Sequence, residues 1–296
     1  MLTEQRNPVS EELDTLPTLE ILRIINRQDA QVPVAIAEAL PTIAAAVDLI
    51  VQAITAGHRL FYMGAGTSGR LGVLDASELF PTFSFEPDRT VALIAGGPTA
   101  LTHSVEASED SEEQGCQDLI AHDFGPGDVL IGLAASGRTP YVLGGMSHAR
   151  DLGAATIALC CNPGSPLADK ATVAIEVLTG PEVIAGSTRM KAGTAQKLVL
   201  NMLSTTAMVR LGKVYGNLMV DVRPTNSKLQ TRAVRIVAEA TGAGQATAQE
   251  LLQQAGWDVK VAVVMGLTGA SALQARDRLA QARGYVRDAL TATNQA

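Results

Sequence analysis

The sequence has 296 residues, of which 47% are hydrophobic, so it is long enough to bury a full core in one large domain with a smaller appendage. Its formal net charge of -7 and pI of about 5.2 argue against binding to nucleic acid or to an anionic membrane surface. Only 3% of the residues are aromatic, which predicts a core built from Ala, Val, Leu and Ile.

The cysteines and the N-terminus point to the cytoplasm. An odd number of cysteines with an adjacent pair, Cys160 and Cys161, is not a disulfide framework. The first residues lack the apolar segment of a signal peptide. No apolar run reaches the roughly 18 residues that a membrane helix needs, so we expect no membrane association.

The first 30 residues are polar and predict an irregular arm with one short helix near residues 18–27. An almost uncharged helix over residues 32–56 follows. Five continuous apolar runs then predict strands that are covered on both faces, as in a parallel sheet. These runs are 59–63, 90–95, 129–134, 155–161 and 173–178. Helices are predicted between them at 68–80, 101–122 (broken near Asp110) and 139–152, with a short turn at 163–171.

A long helix is predicted to run to about residue 215, and helical patterns recur after a polar break at 221–228. Strands that alternate with helices favour a doubly wound α/β fold with right-handed crossovers. We therefore predict an N-terminal arm (1–30), a domain with a five-stranded parallel sheet (31–224) and a helical C-terminal region (225–296).

A glycine-rich turn, GAGTSGR, follows the first predicted strand at residues 64–70. It spells the dinucleotide pattern G-x-G-x-x-G, but the second strand ends in Ala-Gly-Gly without the acidic residue that a ribose needs. The hydroxyls of Thr67 and Ser68 suit a monophosphate better. An ordinary strand–helix connection with a helix cap explains one such turn equally well.

A second turn, AASGRTP, follows the third strand at residues 134–140. The hydroxyls of Ser136 and Thr139 and the N–H groups of Ser136, Gly137 and Arg138 predict an anion-binding nest at the start of a helix. Two hydroxyl-bearing turns at the carboxyl edge of one sheet favour a phosphate site.

Carboxylates near these turns are candidates for acid–base chemistry. Glu78 lies in a nearly uncharged run, and Glu106 and Glu109 lie in an acidic segment whose later members, Glu112 and Glu113, fit a solvated helix face. Two carboxylates with separated pKa values can serve as acid and base. The four histidines and three cysteines lack the spacing of a zinc site, so no metal or other cofactor is expected.

Several long motifs identify a family. The segment GPEVIAGSTRMKAGTAQK at 180–197 resembles the signature shared by N-acetylmuramic acid 6-phosphate etherases and the glucokinase regulatory protein. The segments TEQRNP at 3–8, 64–78 and VDVRPTNSKL at 220–229 resemble the bacterial etherases in particular. The resemblance covers nearly the whole chain, and it implies the sugar isomerase (SIS) fold.

The resemblance also implies a reaction: water and N-acetylmuramic acid 6-phosphate give N-acetylglucosamine 6-phosphate and D-lactate. The two catalytic glutamates of the family match Glu78, assigned as the acid on the lactyl oxygen, and Glu109, assigned as the base. The phosphate loop of the family matches residues 136–139, with Thr67 and Ser68 opposite. We further expect Glu182 to contact the sugar, and the family implies a homodimer with sites near the subunit interface.

Two other functions use the same fold. A non-catalytic phosphosugar sensor would resemble the glucokinase regulatory protein, which carries two SIS domains in a longer chain. An aldose–ketose isomerase would share the phosphate loop but lack the etherase signatures. The departure from the etherase pattern is small: Leu79, Phe80 and Pro81 follow Glu78 and are expected to reshape the pocket wall only.

Overall fold

The computed structural model describes residues 1–105, 108–224 and 226–291. The chain forms two compact units. The first comprises residues 1–77 and 87–204 and contains the sheet, and the second comprises residues 78–86 together with the chain from residue 205 onward. The predicted boundaries at residues 30 and 224 stay a prediction.

The first unit is built on a parallel sheet of five strands in the order β2-β1-β3-β4-β5. The strands are β1 (Leu60–Gly64), β2 (Thr90–Ile94), β3 (Val129–Leu133), β4 (Ala155–Cys160) and β5 (Val173–Glu176). The chain moves from β1 to one side for β2 and then to the other side for β3. Between β1 and β3 the sheet therefore has a topological switch point, where open α/β sheets bind their ligands at the carboxyl edge.

The central strands are apolar on both faces because both faces are covered. Every residue of β1 and β3 is buried. A core cluster that includes Phe61, Leu130 and Ala158 continues into Tyr141 and Met146. The predicted doubly wound sheet with a core of mostly small aliphatic residues is confirmed.

The helices of the first part of the chain agree with the predicted positions to within a few residues, with one exception. They are α1 (Thr18–Asp29), α2 (Val32–Thr55), α3 (Gly66–Phe83), α4 (Glu112–Ala121), α5 (Pro140–Asp151), α6 (Pro166–Asp169) and α7 (Lys191–Arg210). Both α3 and α7 begin in the first unit and end in the second.

The exception is the crossover between β2 and β3, where the prediction is a helix over residues 101–122 with a break near Asp110. The break is confirmed, but the part before it is not α-helical where it is described. Only residues 112–121 are α-helical, and a short 3-10 helix at Gly97–Leu101 precedes them. The helix starts late because Ser111 caps it: the Ser111 side chain accepts a hydrogen bond from the Gln114 amide. The segment before Ser111 is an ordered loop wherever it is described.

The expectation that no stretch is apolar and long enough for a membrane span was wrong. The helical stretch Thr18–Thr55 meets the criteria of length and composition. However, α2 packs against β1, β3 and β5, and Ile36, Ile43 and Ile50 are buried on it. The buried side chains lie on one face of α2, and Val34 and Leu40 on the same helix are exposed.

The second unit is helical in its described part from residue 227 onward. It contains α8 (Ser227–Thr241), α9 (Gln245–Gln254), α10 (Val259–Thr268), α11 (Ala272–Gln281) and α12 (Val286–Thr291). The central helix is α10, which contacts α8, α9, α11 and α12 and is buried almost all round. Asp258 caps its start and Gly269, in the left-handed conformation, ends it. The predicted helical C-terminal region is confirmed.

Candidate active site

The turn after β1 brings strand and helix unusually close together. A Cβ atom on Gly64 would lie 2.7 Å from the Gly69 amide nitrogen, and a Cβ atom on Gly69 would lie 2.6 Å from Cγ1 of Ile94. Only glycine fits at either position, so the glycine pattern is explained by close packing. Gly66 adopts a positive φ of 52° and starts α3. Thr67 and Ser68 therefore stand in the first turn of α3, at its positive end.

The two hydroxyls of this turn differ in their surroundings. Ser68 is buried, and its Oγ donates a hydrogen bond of 2.8 Å to Oε1 of Gln196 on α7. Thr67 is half-buried beside α7, since a Cβ atom on Gly193 would lie 3.4 Å from Cγ2 of Thr67. The first turn of α3 is thus fixed against the first half of α7.

The turn after β3 lies on the other side of the switch point. Gly137 has a φ of 68°, and its amide donates to the Ala134 carbonyl oxygen, while the Arg138 amide donates to Oγ of Ser136. Two of the three N–H groups that were predicted to form a nest are thus used inside the turn. In the part of the chain that the structure describes, the amides of Ser136 and Thr139 have no partner.

Thr139 is the residue before α5, and its hydroxyl does not cap the helix. Pro140 occupies the first position of the helix, where a missing N–H is tolerated. Arg138 is exposed, and no described carboxylate pairs with it. The free amides, the hydroxyls, the guanidinium and the helix N-terminus together can hold an anion.

Glu109 is fixed beside this second turn through its backbone. Its carbonyl oxygen accepts a hydrogen bond of 3.0 Å from the amide of Tyr141, in the first turn of α5. Helices α4 and α5 approach so closely here that a Cβ atom on Gly115 would lie 1.9 Å from the Tyr141 carbonyl oxygen. The Glu109 side chain is exposed at this edge of the sheet. The earlier candidate Glu106 lies outside the described residues.

Glu78 is carried by α3 as predicted, and its side chain is exposed. One turn earlier, Asp75 lies in a polar cluster of the first unit. Its two carboxylate oxygens accept hydrogen bonds from the Tyr62 hydroxyl (2.8 Å) and the Ser204 hydroxyl (3.0 Å). Burial raises the pKa of Asp75 from 3.8 to about 6, although both hydrogen bonds act in the opposite direction. This cluster ties α3 to β1 and α7.

Glu182 is fully buried in the loop between β5 and α7. Its carboxylate oxygens accept 2.9 Å hydrogen bonds from the amides of Lys191 and Ala192, the first two residues of α7. The negative charge thus caps the positive end of that helix. The Lys191 ammonium donates to Oε1 of Gln28, and burial lowers its pKa. In the described structure Glu182 therefore stabilises the N-terminus of α7.

The N-terminal arm is anchored on the same loop. Thr3 exchanges hydrogen bonds with the side chain of Asn162, which follows β4, and its carbonyl oxygen accepts from the Gly186 amide. Asn7 donates to the Pro181 carbonyl oxygen. The arm that the sequence predicted as irregular is consequently an ordered part of the carboxyl edge of the sheet.

Family models match three segments of the chain. The N-terminal SIS domain of the glucokinase regulatory protein matches residues 42–150, a SIS domain matches residues 103–206, and the C-terminal lid domain of the glucokinase regulatory protein matches residues 216–261. A putative phosphosugar isomerase from Bacteroides fragilis has the same fold: its crystal structure covers 66% of this chain and 91% of its own at a TM-score of 0.51 and 22% identity.

Curated relatives are far more similar. An N-acetylmuramic acid 6-phosphate etherase from Aeromonas hydrophila is 56% identical over 97% of this chain and 96% of its own length. Another from Rhizobium rhizogenes is 54% identical over 99% of this chain and 95% of its own. The chain belongs to the N-acetylmuramic acid 6-phosphate etherase family. The SIS fold and the family that the motifs predicted are both confirmed.

The etherase motif at 220–229 lies in the second unit, where its described residues make ion pairs. Asp221 accepts from Lys213 (2.8 Å) and Lys260 (2.9 Å), and Arg223 pairs with Glu86 at 2.8 Å. Apart from Lys260, these residues line a cavity of about 590 Å³ in that unit, together with Trp257. In this member of the etherase family the motif therefore contributes to the organisation of the helical unit.

Two features of the candidate site were missed in the sequence. The first is the hydrogen bond from the start of α5 to the Glu109 backbone, which no local pattern predicts because the packing of α4 on α5 sets it. The second is Arg70, whose role is visible only in the structure, although a single basic residue directly after a glycine-rich turn is itself a signal. Among the described residues, no three His, Cys, Asp or Glu side chains form a possible metal site.

Proposed function

We propose that this chain cleaves the D-lactyl ether of N-acetylmuramic acid 6-phosphate, giving N-acetylglucosamine 6-phosphate and D-lactate, in amino sugar catabolism. The observation that carries this function is the identity of 53–56% with etherases over nearly the full length of the chain. The switch point with two hydroxyl-bearing turns supports a small phosphosugar as the substrate, because it offers unpaired donors to an anion. The proposed compartment is the cytoplasm.

The phosphate is bound by the second turn. The amides and hydroxyls of Ser136 and Thr139 donate to its oxygens, and Arg138 supplies a positive charge. Gly137 allows the left-handed turn that presents these groups. Thr67 and Ser68 line the opposite side of the switch point. The Ser68 hydroxyl already donates to Gln196, whereas no described residue accepts a hydrogen bond from the Thr67 hydroxyl.

Two glutamates carry out an elimination followed by an addition. In the open-chain form of the sugar, the C1 aldehyde acidifies the proton on C2. Glu109 removes that proton, the bond between C3 and the lactyl oxygen breaks, and Glu78 donates a proton to the departing oxygen. Water then adds to C3 of the unsaturated aldehyde, and C2 regains a proton. One water is consumed, and one D-lactate leaves.

We propose that the active enzyme is a homodimer, as the resemblance to the etherases implies. Sedimentation analysis of the enzyme tests this proposal, and a strictly monomeric active enzyme would refute the dimer.

For Glu182 a direct contact with the sugar stays a prediction. Its two hydrogen bonds to α7 support a role in placing Gly193 and Gln196 against the first turn of α3.

The function is tested by incubating the protein with N-acetylmuramic acid 6-phosphate and measuring D-lactate. Folded protein that releases no lactate would refute the proposal. Glu78→Gln and Glu109→Gln should each lower kcat by at least about 100-fold while substrate binding survives, because the proton transfer is lost. Glu113→Gln on the solvated face of α4 is the matched control and should keep full activity.

The phosphate site is tested separately. Ser136→Ala should raise KM more than it lowers kcat, because phosphate binding contributes to ground state and transition state alike. An unchanged KM would place the phosphate elsewhere. The sensor and the aldose–ketose isomerase functions lose support, since relatives with more than half of their residues identical are etherases.

A further inference from the structure

Arg70 makes an unusual set of contacts at the carboxyl edge of the sheet. It stands one residue after Gly69, on α3. Its Nε donates hydrogen bonds to the carbonyl oxygens of Ala100 (3.0 Å) and Leu101 (3.2 Å), and Nη2 donates to that of His103 (3.2 Å). Within the described part of the chain, no carboxylate forms an ion pair with Arg70. The guanidinium is therefore used to hold backbone carbonyls.

The segment that Arg70 holds leads directly to Glu109. After His103 the chain packs over the end of β2, where a Cβ atom on Gly96 would lie 2.9 Å from Cβ of Val105 and 3.1 Å from Oγ of Ser108. It then reaches Glu109, whose carbonyl oxygen accepts from the Tyr141 amide. The loop that carries Glu109 is thus tied at its beginning to α3 and at its end to α5.

These two ties come from the two turns of the switch point. Arg70 follows the turn after β1, and Tyr141 follows the turn after β3. A charged donor forms stronger hydrogen bonds than a neutral one, and the planar guanidinium can serve three carbonyls at once. A lysine at this position would offer one flexible ammonium instead.

We infer that Arg70 is a positioning residue for Glu109: it holds residues 100–103 on α3 and thereby sets the place of the catalytic base relative to the bound sugar. The inference rests on the proposed etherase function. A purely structural arginine would change only the amount of folded protein. The loss of Arg70 should instead slow proton abstraction in the molecules that remain folded.

Arg59 is a matched control on the opposite edge of the same sheet. Its guanidinium donates to the carbonyl oxygens of His122 and Asp123, which end the same β2–β3 crossover, and it pairs with Asp128. Arg59 therefore also clamps carbonyls of this crossover, but at the end remote from Glu109. Its removal should cost stability without changing the chemistry of the folded enzyme.

The experiment compares Arg70→Ala, Arg70→Lys and Arg59→Ala with the parent enzyme. For each, kcat and KM for lactate release are measured per folded molecule, with substrate carrying hydrogen or deuterium at C2. A displaced base is expected to lower kcat by about 100-fold. For Arg70→Ala we expect this loss, a smaller change in KM and an increased isotope effect on kcat, because proton abstraction becomes slower relative to the other steps. Arg70→Lys should recover little.

Two further measurements make the result decisive. Added guanidinium ion at low millimolar concentration should restore part of the kcat of Arg70→Ala and none of that of Arg59→Ala. In combination with Glu109→Gln, Arg70→Ala should cause almost no further loss, because both changes disable the same step. The inference is overturned if Arg70→Ala and Arg59→Ala behave alike per folded molecule, or if the isotope effect stays constant. If the parent enzyme releases no lactate, the proposed function fails instead.

Discussion

Asp75 makes the stability of the fold depend on pH in a direction opposite to that of most carboxylates. It is held by Tyr62 and Ser204 in a largely buried cluster, and its pKa is raised to about 6. Asp75→Asn removes the titration while it keeps the size of the side chain. The oxygen of the new side-chain amide can still accept a hydrogen bond from one of the two hydroxyls, and its NH₂ group can donate to the oxygen of the other hydroxyl.

The sign follows from the two pKa values. Below pH 3.8 the carboxyl is protonated in both the unfolded and the folded chain, so it has no pH effect. Between 3.8 and about 6 the unfolded chain ionises while the folded chain keeps its proton, so the free energy of unfolding falls as pH rises. The loss is complete above about pH 6 and amounts to about 3 kcal/mol, of which about 2 kcal/mol develops between pH 4 and pH 7.

Urea unfolding of the parent chain and of Asp75→Asn at half-unit steps from pH 4 to pH 7 measures this term directly. The parent should lose about 2 kcal/mol relative to the variant over that range, with all other titrating groups cancelling in the difference. Ser204→Ala keeps the carboxyl but removes a donor that lowers its pKa, so the same loss should extend to higher pH. A difference between parent and Asp75→Asn that is constant with pH would refute the reasoning.

Three other predictions concern packing, capping and thiol reactivity. Gly69→Ala should destabilise the fold by about 1–3 kcal/mol in urea unfolding, whereas Gly125→Ala, whose Cβ atom would meet nothing within 4 Å, should stay within about 0.5 kcal/mol; equal effects would contradict the close approach of α3 to β1. The Glu182 carboxylate accepts from two helix amides, and Glu182→Gln replaces one of its oxygens by an NH₂ donor that faces an amide. We therefore expect the free energy of unfolding to fall by about 2–3 kcal/mol, and a thermal unfolding midpoint equal to that of the parent would disprove the cap. An aromatic disulfide reagent should rapidly label one thiol of the native protein, Cys116, because burial raises the pKa of the Cys160 and Cys161 thiols. Fast reaction of all three thiols would show that the end of β4 is accessible to solvent.

Most of the fold was predictable because the strongest signals in the sequence are local. Continuous apolar runs identified all five strands, and glycines followed by hydroxyl residues marked both turns of the switch point. The order of the strands comes from the structure, because apolar runs do not show which strands are neighbours. The motifs then supplied the family, which spacing alone left open.

The parts that were missed depend on contacts between distant segments. The helix predicted over residues 101–122 is α-helical only from residue 112, because Arg70 binds the carbonyl oxygens of Leu101 and His103, and Val105 and Ser108 lie against Gly96. The sequence suggests that the Ser68 hydroxyl is free to bind a ligand, but it donates a hydrogen bond to Gln196, which is 128 residues away. Similarly, Glu182 reads as a ligand-facing carboxylate, and only the position of α7 reveals its two amide partners.

The crossing of α4 and α5 has a consequence for how this protein would respond to systematic mutagenesis. A Cβ atom on Gly115 or Gly144 would lie 1.9 Å from a backbone carbonyl oxygen of the opposite helix, so every substitution forces the helices apart. In a growth selection for sugar utilisation, both positions should score as intolerant as Glu109, although neither glycine has a side chain to react. Sensitivity maps of this chain would then show a false catalytic cluster beside the true one, and measurements of soluble yield would tell the two apart.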